Sequence, residues 1–159
     1  MSLPALGPRG EGWVAIQVVL FVGIALSALV GRGWPAALEV PALLIGVTLM
    51  VLGAALVLAA SAHLGSTAWT ALPKPRGGAQ LSRRGLYAHA RHPMYGGVIL
   101  VAAGWNVIFA SVVGAVLTVA LVLFFELKSR REETLLAERS PDYGAYRDRT
   151  RRRFLPWLY

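Results

Sequence analysis

Between His92 and Phe125 the chain carries no lysine, arginine, aspartate or glutamate, and two further uncharged apolar runs extend from Gly12 to Gly31 and from Val40 to Pro73. Runs of this length match membrane-crossing helices, which need about 20 apolar residues each. The composition agrees: 56% of the 159 residues are hydrophobic and only 15% charged, against about 25% charged in an ordinary soluble domain. Too little polar surface remains to coat a water-facing globule. The chain therefore reads as an all-α, multi-spanning membrane protein whose residues 1–159 form one domain.

The first span covers about Trp13–Val30, with Trp13 and Trp34 at the levels of the two interfacial belts. A secretory signal is the other reading, since Arg9 precedes the run, but the run exceeds the ~7–15 apolar residues of a signal. The second span covers about Val40–Ala60, with Pro41 expected in its first turn, where a missing N–H costs nothing. Gly46, Gly53, Ala54 and Ala55 give this span a flat face for a close helix neighbour, either within the chain or in a homodimer. The third block, Pro93–Leu127, would make one helix of about 50 Å at ~1.5 Å per residue, too long for a hydrocarbon core of about 30 Å. Split near Asn106–Ser111, it becomes a C-terminal helical hairpin with arms at about 93–108 and 111–127. Asn106 is then expected to form the turn.

Charge placement supports the split. The stretch from His63 to His92 holds Lys74, Arg76, Arg83, Arg84 and Arg91 and no acid, and the tail from Lys128 onward holds nine basic residues. The link after the first span has only Arg32 and Glu39. Lysine and arginine mark the cytoplasmic side, so an even number of crossings must separate the middle loop from the tail. The expected topology is four transmembrane helices in the cell membrane with both termini cytoplasmic. The net charge of +8 thus belongs to a membrane face; no nucleic acid is implied. The chain has no cysteine, which excludes disulfides, thiolate-ligated metals and thiol nucleophiles. The three histidines lack the spacing of a zinc site, so no metal is expected.

Two polar segments flank the hairpin, at residues 81–97 and 126–156. A tight hairpin returns them to one side, so Arg91, His92 and Tyr95 are expected near Glu132 and Glu133. Charged and aromatic groups at the mouth of a helix pair suit a polar ligand beside a lipid-soluble one. The bland alternatives are a helix cap at His92-Pro93 and a solvated face pairing Glu132 and Glu133 with Lys128 or Arg130. Arg151, Arg152 and Arg153 read most simply as an anchor to anionic headgroups, with Phe154, Trp157 and Tyr159 in the interface. Tyr143 and Tyr146 read as packing residues that fold the tail over the site, and the segment 73–78 as a flexible loop able to act as a lid.

The order Arg91-His92-Pro93-Met94-Tyr95, then Glu132-Glu133-x-Leu135-Leu136, then Tyr143-x-x-Tyr146 and Phe154-Leu155-Pro156, resembles the integral-membrane methyltransferases. That family includes isoprenylcysteine carboxyl methyltransferase and phosphatidylethanolamine N-methyltransferase. Gly104-Trp105, Ser111-x-x-Gly114 and Leu64-Gly65 fit the resemblance. It implies S-adenosyl-L-methionine as methyl donor, bound in a cytoplasmic cleft, and a lipophilic or amphiphilic acceptor arriving from the bilayer.

On that resemblance the donor-binding residues are Tyr87, Arg91, His92, Pro93, Tyr95, Glu132 and Glu133. Carboxylates can hold the donor's diol or ammonium. Arg91, His92 or the free N–H groups starting at Pro93 can hold its carboxylate, and Tyr87 or Tyr95 can face adenine or the sulfonium. A carboxylate acceptor needs no base but an arginine to orient it, for which Arg147 or Arg149 would serve. An amine acceptor needs a base, with His92, His89 and Glu133 as candidates. The expected catalytic set is His92, Glu133 and Arg147. A nicotinamide-dependent reductase related to the sterol reductases and a non-enzymatic helical scaffold are the competing readings.

Overall fold

A computed structural model of the chain describes residues 4, 6–7, 10–64 and 82–156. The expected loop at 73–78, Gly65, Trp157 and Tyr159 lie outside the described residues. The described residues form five α-helices: α1 (Glu11–Leu26), α2 (Ala36–Leu64), α3 (Pro93–Phe109), α4 (Val112–Arg139) and α5 (Tyr143–Arg149). A 3-10 turn, Ser27–Val30, prolongs α1, and a second, Gly85–Ala88, precedes α3. There is no strand among the described residues. Among the described residues three stretches, Glu11–Val30, Ala36–Leu64 and Val112–Arg139, are long and apolar enough to cross a membrane; Pro93–Phe109 is apolar but shorter. At 17 residues it spans about 25 Å, a little less than a hydrocarbon core, and local thinning of the bilayer absorbs such a mismatch.

The expected hairpin is present, with a two-residue link shifted by one position to Ala110-Ser111. α3 ends at Ala110, whose backbone is left-handed at φ 49°, and Ser111 starts α4 by accepting the Gly114 amide on its hydroxyl at 3.1 Å. A serine cap satisfies one of the free amides of a new helix. Asn106 does not form the turn. It lies inside α3, buried, and its side-chain amide donates to the Gly114 carbonyl at 2.9 Å and to Thr118. It therefore clasps the two arms from within.

α2 lies against α3 on paired glycines. A Cβ on Gly53 would sit 2.5 Å from the Gly97 carbonyl, and one on Gly104 2.5 Å from the Gly46 carbonyl. From one pair to the next the α2 number rises by seven while the α3 number falls by seven, so the helices run antiparallel on one shared face. Of the small residues considered above, Gly46 and Gly53 are thus covered within the chain, while Ala54 and Ala55 stay exposed. Pro41 also departs from expectation. Because α2 begins at Ala36, the proline sits inside the helix and removes one backbone hydrogen bond there.

α1 packs on α4 in the same alternating sense. Ser27 crowds Gly114, Leu117 covers Gly23, the Trp13 and Phe124 rings are 5.7 Å apart, and Lys128 Nζ donates to Gln17 Oε1 at 2.6 Å. One end of the bundle therefore gathers the start of α1, the end of α2, the start of α3, the charged end of α4 and the tail. The other end holds residues 31–35 and the Ala110-Ser111 turn, joined where the Trp34 indole donates to the Val107 carbonyl at 2.5 Å. Basic residues crowd the first end, as the charge argument required. Large aliphatic side chains such as Val19, Leu44, Leu58, Val116 and Leu123 point outward, which suits a lipid surround.

Candidate functional site

The site is built where α3 begins and α4 leaves the apolar zone. α4 runs unbroken from Val112 to Arg139, so its last four turns carry Glu126, Glu132 and Glu133 beside the start of α3. Pro93 occupies the first turn of α3, where its fixed φ favours a helix and its absent N–H is not missed. His92 precedes it in a non-helical conformation, and no side chain caps the helix.

Residues far apart in sequence converge here. Arg91 Nε donates to Glu133 Oε1 at 2.9 Å, with both side chains about nine-tenths buried. His92 lies between the two acids, its Nε2 3.2 Å from Glu133 Oε1 and its Nδ1 3.5 Å from Glu132 Oε2. The Tyr95 hydroxyl donates to Glu132 Oε1 at 2.5 Å. The Tyr95 ring stacks on Phe125 at 4.3 Å and parallel to His92 at 5.5 Å, and Lys128 Nζ stands 5.4 Å from its centroid. Pro93 is buried beneath them. His92 does stand at the N-cap of α3 with Pro93 after it, though its side chain makes no capping bond; the glutamate pair, by contrast, is turned inward and is no solvated face.

The tail closes the assembly from outside. The amides of Arg91 and His92 donate to the carbonyls of Arg152 and Arg153 at 3.0 and 2.7 Å. Arg91 Nη1 donates to the carbonyls of Thr150 and Arg151 at 2.6 and 2.7 Å. The Tyr146 hydroxyl donates to the Tyr87 carbonyl at 2.7 Å, so the two tail tyrosines do fold the tail over the segment before α3. Gly96 is required at its position because a Cβ would strike the Phe154 carbonyl. Burial pushes Tyr87 up to about 12, with Tyr146 and Glu132 adding to the rise. It also pushes Tyr146 up to about 12 and raises Tyr143, where Glu133 adds and Arg91 opposes. All three are therefore neutral phenols at physiological pH.

Of the residues singled out from sequence, Arg91, His92, Pro93, Tyr95, Glu132 and Glu133 are brought into one cluster, with Tyr87 buried at its edge. Arg147 is not: it is exposed on α5, as is Arg149, and His89, just after the 3-10 turn Gly85–Ala88, is exposed too. Sequence reasoning missed three members. Arg153, read as part of a lipid anchor, turns inward and pairs with Glu126 Oε1, with its Nε 3.5 Å from Glu133 Oε1. Glu126 also pairs with Arg130 at 2.9 Å. Lys128, read from sequence as a partner of the glutamates on a solvated face, is 1% exposed and donates to Gln17 instead. The usable signal was Glu126 itself, since an acid at the edge of an apolar helix needs a buried partner.

The buried Glu126 Oε2 and Tyr143 hydroxyl have no hydrogen-bond partner among the described residues. The site thus offers carboxylates and a phenol to a cationic or hydroxylated ligand, beside arginines suited to an anionic group. A sulfonium amino acid carrying an ammonium, a carboxylate and a ribose diol fits that donor set. The family model for phospholipid methyltransferases matches residues 41–141. That stretch holds α2 from Pro41 onward, the two arms of the hairpin, and Glu126, Glu132 and Glu133 of the site. No curated protein matches the chain.

Proposed function

Because the chain belongs to the phospholipid methyltransferase family, and so is a membrane methyltransferase, we propose that it transfers a methyl group from S-adenosyl-L-methionine to a lipophilic or amphiphilic acceptor at the cytoplasmic membrane interface. The observation that carries this reading is the convergence of Arg91, His92 and Tyr95 with Glu132 and Glu133 at the end of the bundle rich in arginine. The family match favours methyl transfer over the nicotinamide-dependent reductase and over the scaffold.

Glu132 and Glu133 hold the donor's ammonium or ribose diol, and Tyr95 presents its ring beside them. Tyr87 and Pro93 shape the floor of the site. Arg91 spends its N–H groups on Glu133 and on two tail carbonyls, so it acts chiefly by orienting Glu133 and closing the tail. When bound, the donor supplies an electrophilic methyl on a sulfonium, and the attack is an in-line displacement whose rate depends on alignment and exclusion of water. For an amine acceptor the base is His92, whose Nε2 and Nδ1 lie 3.2 and 3.5 Å from the Glu133 and Glu132 carboxylates. For a carboxylate acceptor no base is needed, and Arg147 on the outer face of α5 would steer the headgroup inward from the interface.

The acceptor enters from the bilayer, consistent with a site placed at the end of lipid-facing helices. The test is transfer of radiolabelled methyl from the donor to a membrane lipid extract. Purified protein is expected to label a chloroform-soluble product, and the label should be lost with Glu133→Gln. A protein that labels no lipid fraction contradicts the proposal.

A further inference from the structure

Three arginines follow one another at 151–153, and the structure treats them differently. Arg151 and Arg152 are exposed. Arg153 is drawn in, its side chain 18% exposed, paired with Glu126 and standing 3.5 Å from Glu133. Its own carbonyl accepts the His92 amide at 2.7 Å. The next residue, Phe154, is buried with its ring 6.5 Å from Tyr95 and its carbonyl lodged against Gly96. Arg153 thus touches the α3 element through its backbone and the α4 acids through its guanidinium.

We propose that Arg153 is a positioning residue for methyl transfer: it sets Glu126 and Glu133 on α4 in register with His92, so that the donor-holding carboxylates and the start of α3 form one unit. The inference rests on the reading of this cluster as the donor site. A guanidinium suits the task because its planar fork reaches two carboxylates from one rigid group, whereas an ammonium is a single point charge. Glu126 and Glu133 lie seven positions apart on α4, two turns on one face, and a single fork bridging that distance fixes the helix rotation as well as the charges. Arg130, which also reaches Glu126, is mostly exposed and lies on the same helix, so it cannot supply the link to α3.

The experiment compares the wild-type chain with Arg153→Gln, Arg153→Lys, Glu126→Gln and the charge control Arg139→Gln. S-adenosyl-L-methionine binding is followed by calorimetry and turnover is measured on a membrane lipid extract. Arg153→Gln should raise the donor KM by about tenfold or more, the scale of one charge-assisted hydrogen bond, with kcat changed by less than about threefold. Arg153→Lys should recover part of that loss. Adding Glu126→Gln to Arg153→Gln should cost little more, because both remove the same link. Arg139→Gln should bind as wild type.

A merely structural role would lower kcat through a smaller active fraction and leave KM alone. That pattern overturns the proposal, as does equal loss in Arg153→Gln and Arg139→Gln. If Arg153→Gln does not fold, Arg153→Lys decides by the same split. A wild-type chain that binds no donor removes the functional reading and this inference with it. A wild-type chain that binds it while Arg153→Gln binds equally well removes this inference alone.

Discussion

Arg91 and Glu133 stand 42 positions apart in sequence and 2.9 Å apart in space. The hairpin between them makes this contact, since a two-residue turn returns α4 to the level at which α3 began. Breaking a buried ion pair leaves an uncompensated charge, at a cost of about 3–5 kcal/mol. Arg91→Ala also frees the carbonyls of Thr150 and Arg151. Hydrogen exchange of residues 150–156 should therefore rise by orders of magnitude in Arg91→Ala, and Arg91→Lys should restore protection only in part because it lacks the fork. Unchanged exchange would separate the tail from the ion pair.

The glycine contacts of α2 with α3 leave no room for a side chain. Gly53→Val places carbon against the Gly97 carbonyl and should destabilise the bundle by about 1–3 kcal/mol, the range for overpacking. Unfolding in mixed detergent micelles measures this. Gly33→Ala offers a comparison: a Cβ there meets nothing within 4 Å, but the backbone is left-handed at φ 67°, so any cost comes from conformation and not from packing.

At the hairpin turn two changes should act in opposite directions. Asn106→Leu removes the bonds to Gly114 and Thr118, and hydrogen bonds between membrane helices contribute about 0.6–1.7 kcal/mol; a loss on that scale is expected. Ala110→Gly relieves a left-handed alanine and should stabilise by about 1 kcal/mol. The same micelle unfolding assay reads both, and a destabilised Ala110→Gly would show that the turn does not hold the geometry described.

Topology can be tested without background because the chain has no cysteine. Single variants Arg32→Cys, Arg84→Cys and Glu138→Cys are all at exposed positions. In intact cells an impermeant thiol reagent should label only Arg32→Cys. Labelling of Arg84→Cys from outside would reverse the orientation, and labelling of Arg84→Cys and Glu138→Cys from opposite sides would break the hairpin.

Much of this architecture was legible in the sequence because charge is so costly in lipid. The uncharged block ending at Phe125 was too long for one crossing, and the basic segments on either side of it had to lie together. Those two facts alone brought His92 toward Glu133. Helix ends were less legible, since the charged run after Leu127 looks like an interfacial loop although its residues continue α4 for three turns. The role of Asn106 was missed because an asparagine near a turn forms turns more often than it clasps neighbouring helices. Gly46 and Gly53 declared a close contact without naming the partner, and only the matching glycines of α3 supply it. Arg153 was indistinguishable from Arg151 and Arg152 by residue type, and only the extended path of the tail beside His92 selects it.

The most direct measurement is calorimetric titration of the purified chain with S-adenosyl-L-methionine, for wild type and Glu133→Gln, with a nicotinamide cofactor as control. The wild-type chain should bind the methyl donor and not the nicotinamide, and Glu133→Gln should weaken donor binding by about tenfold or more. No donor binding by the wild type, or equal binding by Glu133→Gln, would contradict a donor site built from Arg91, His92, Tyr95 and the glutamate pair.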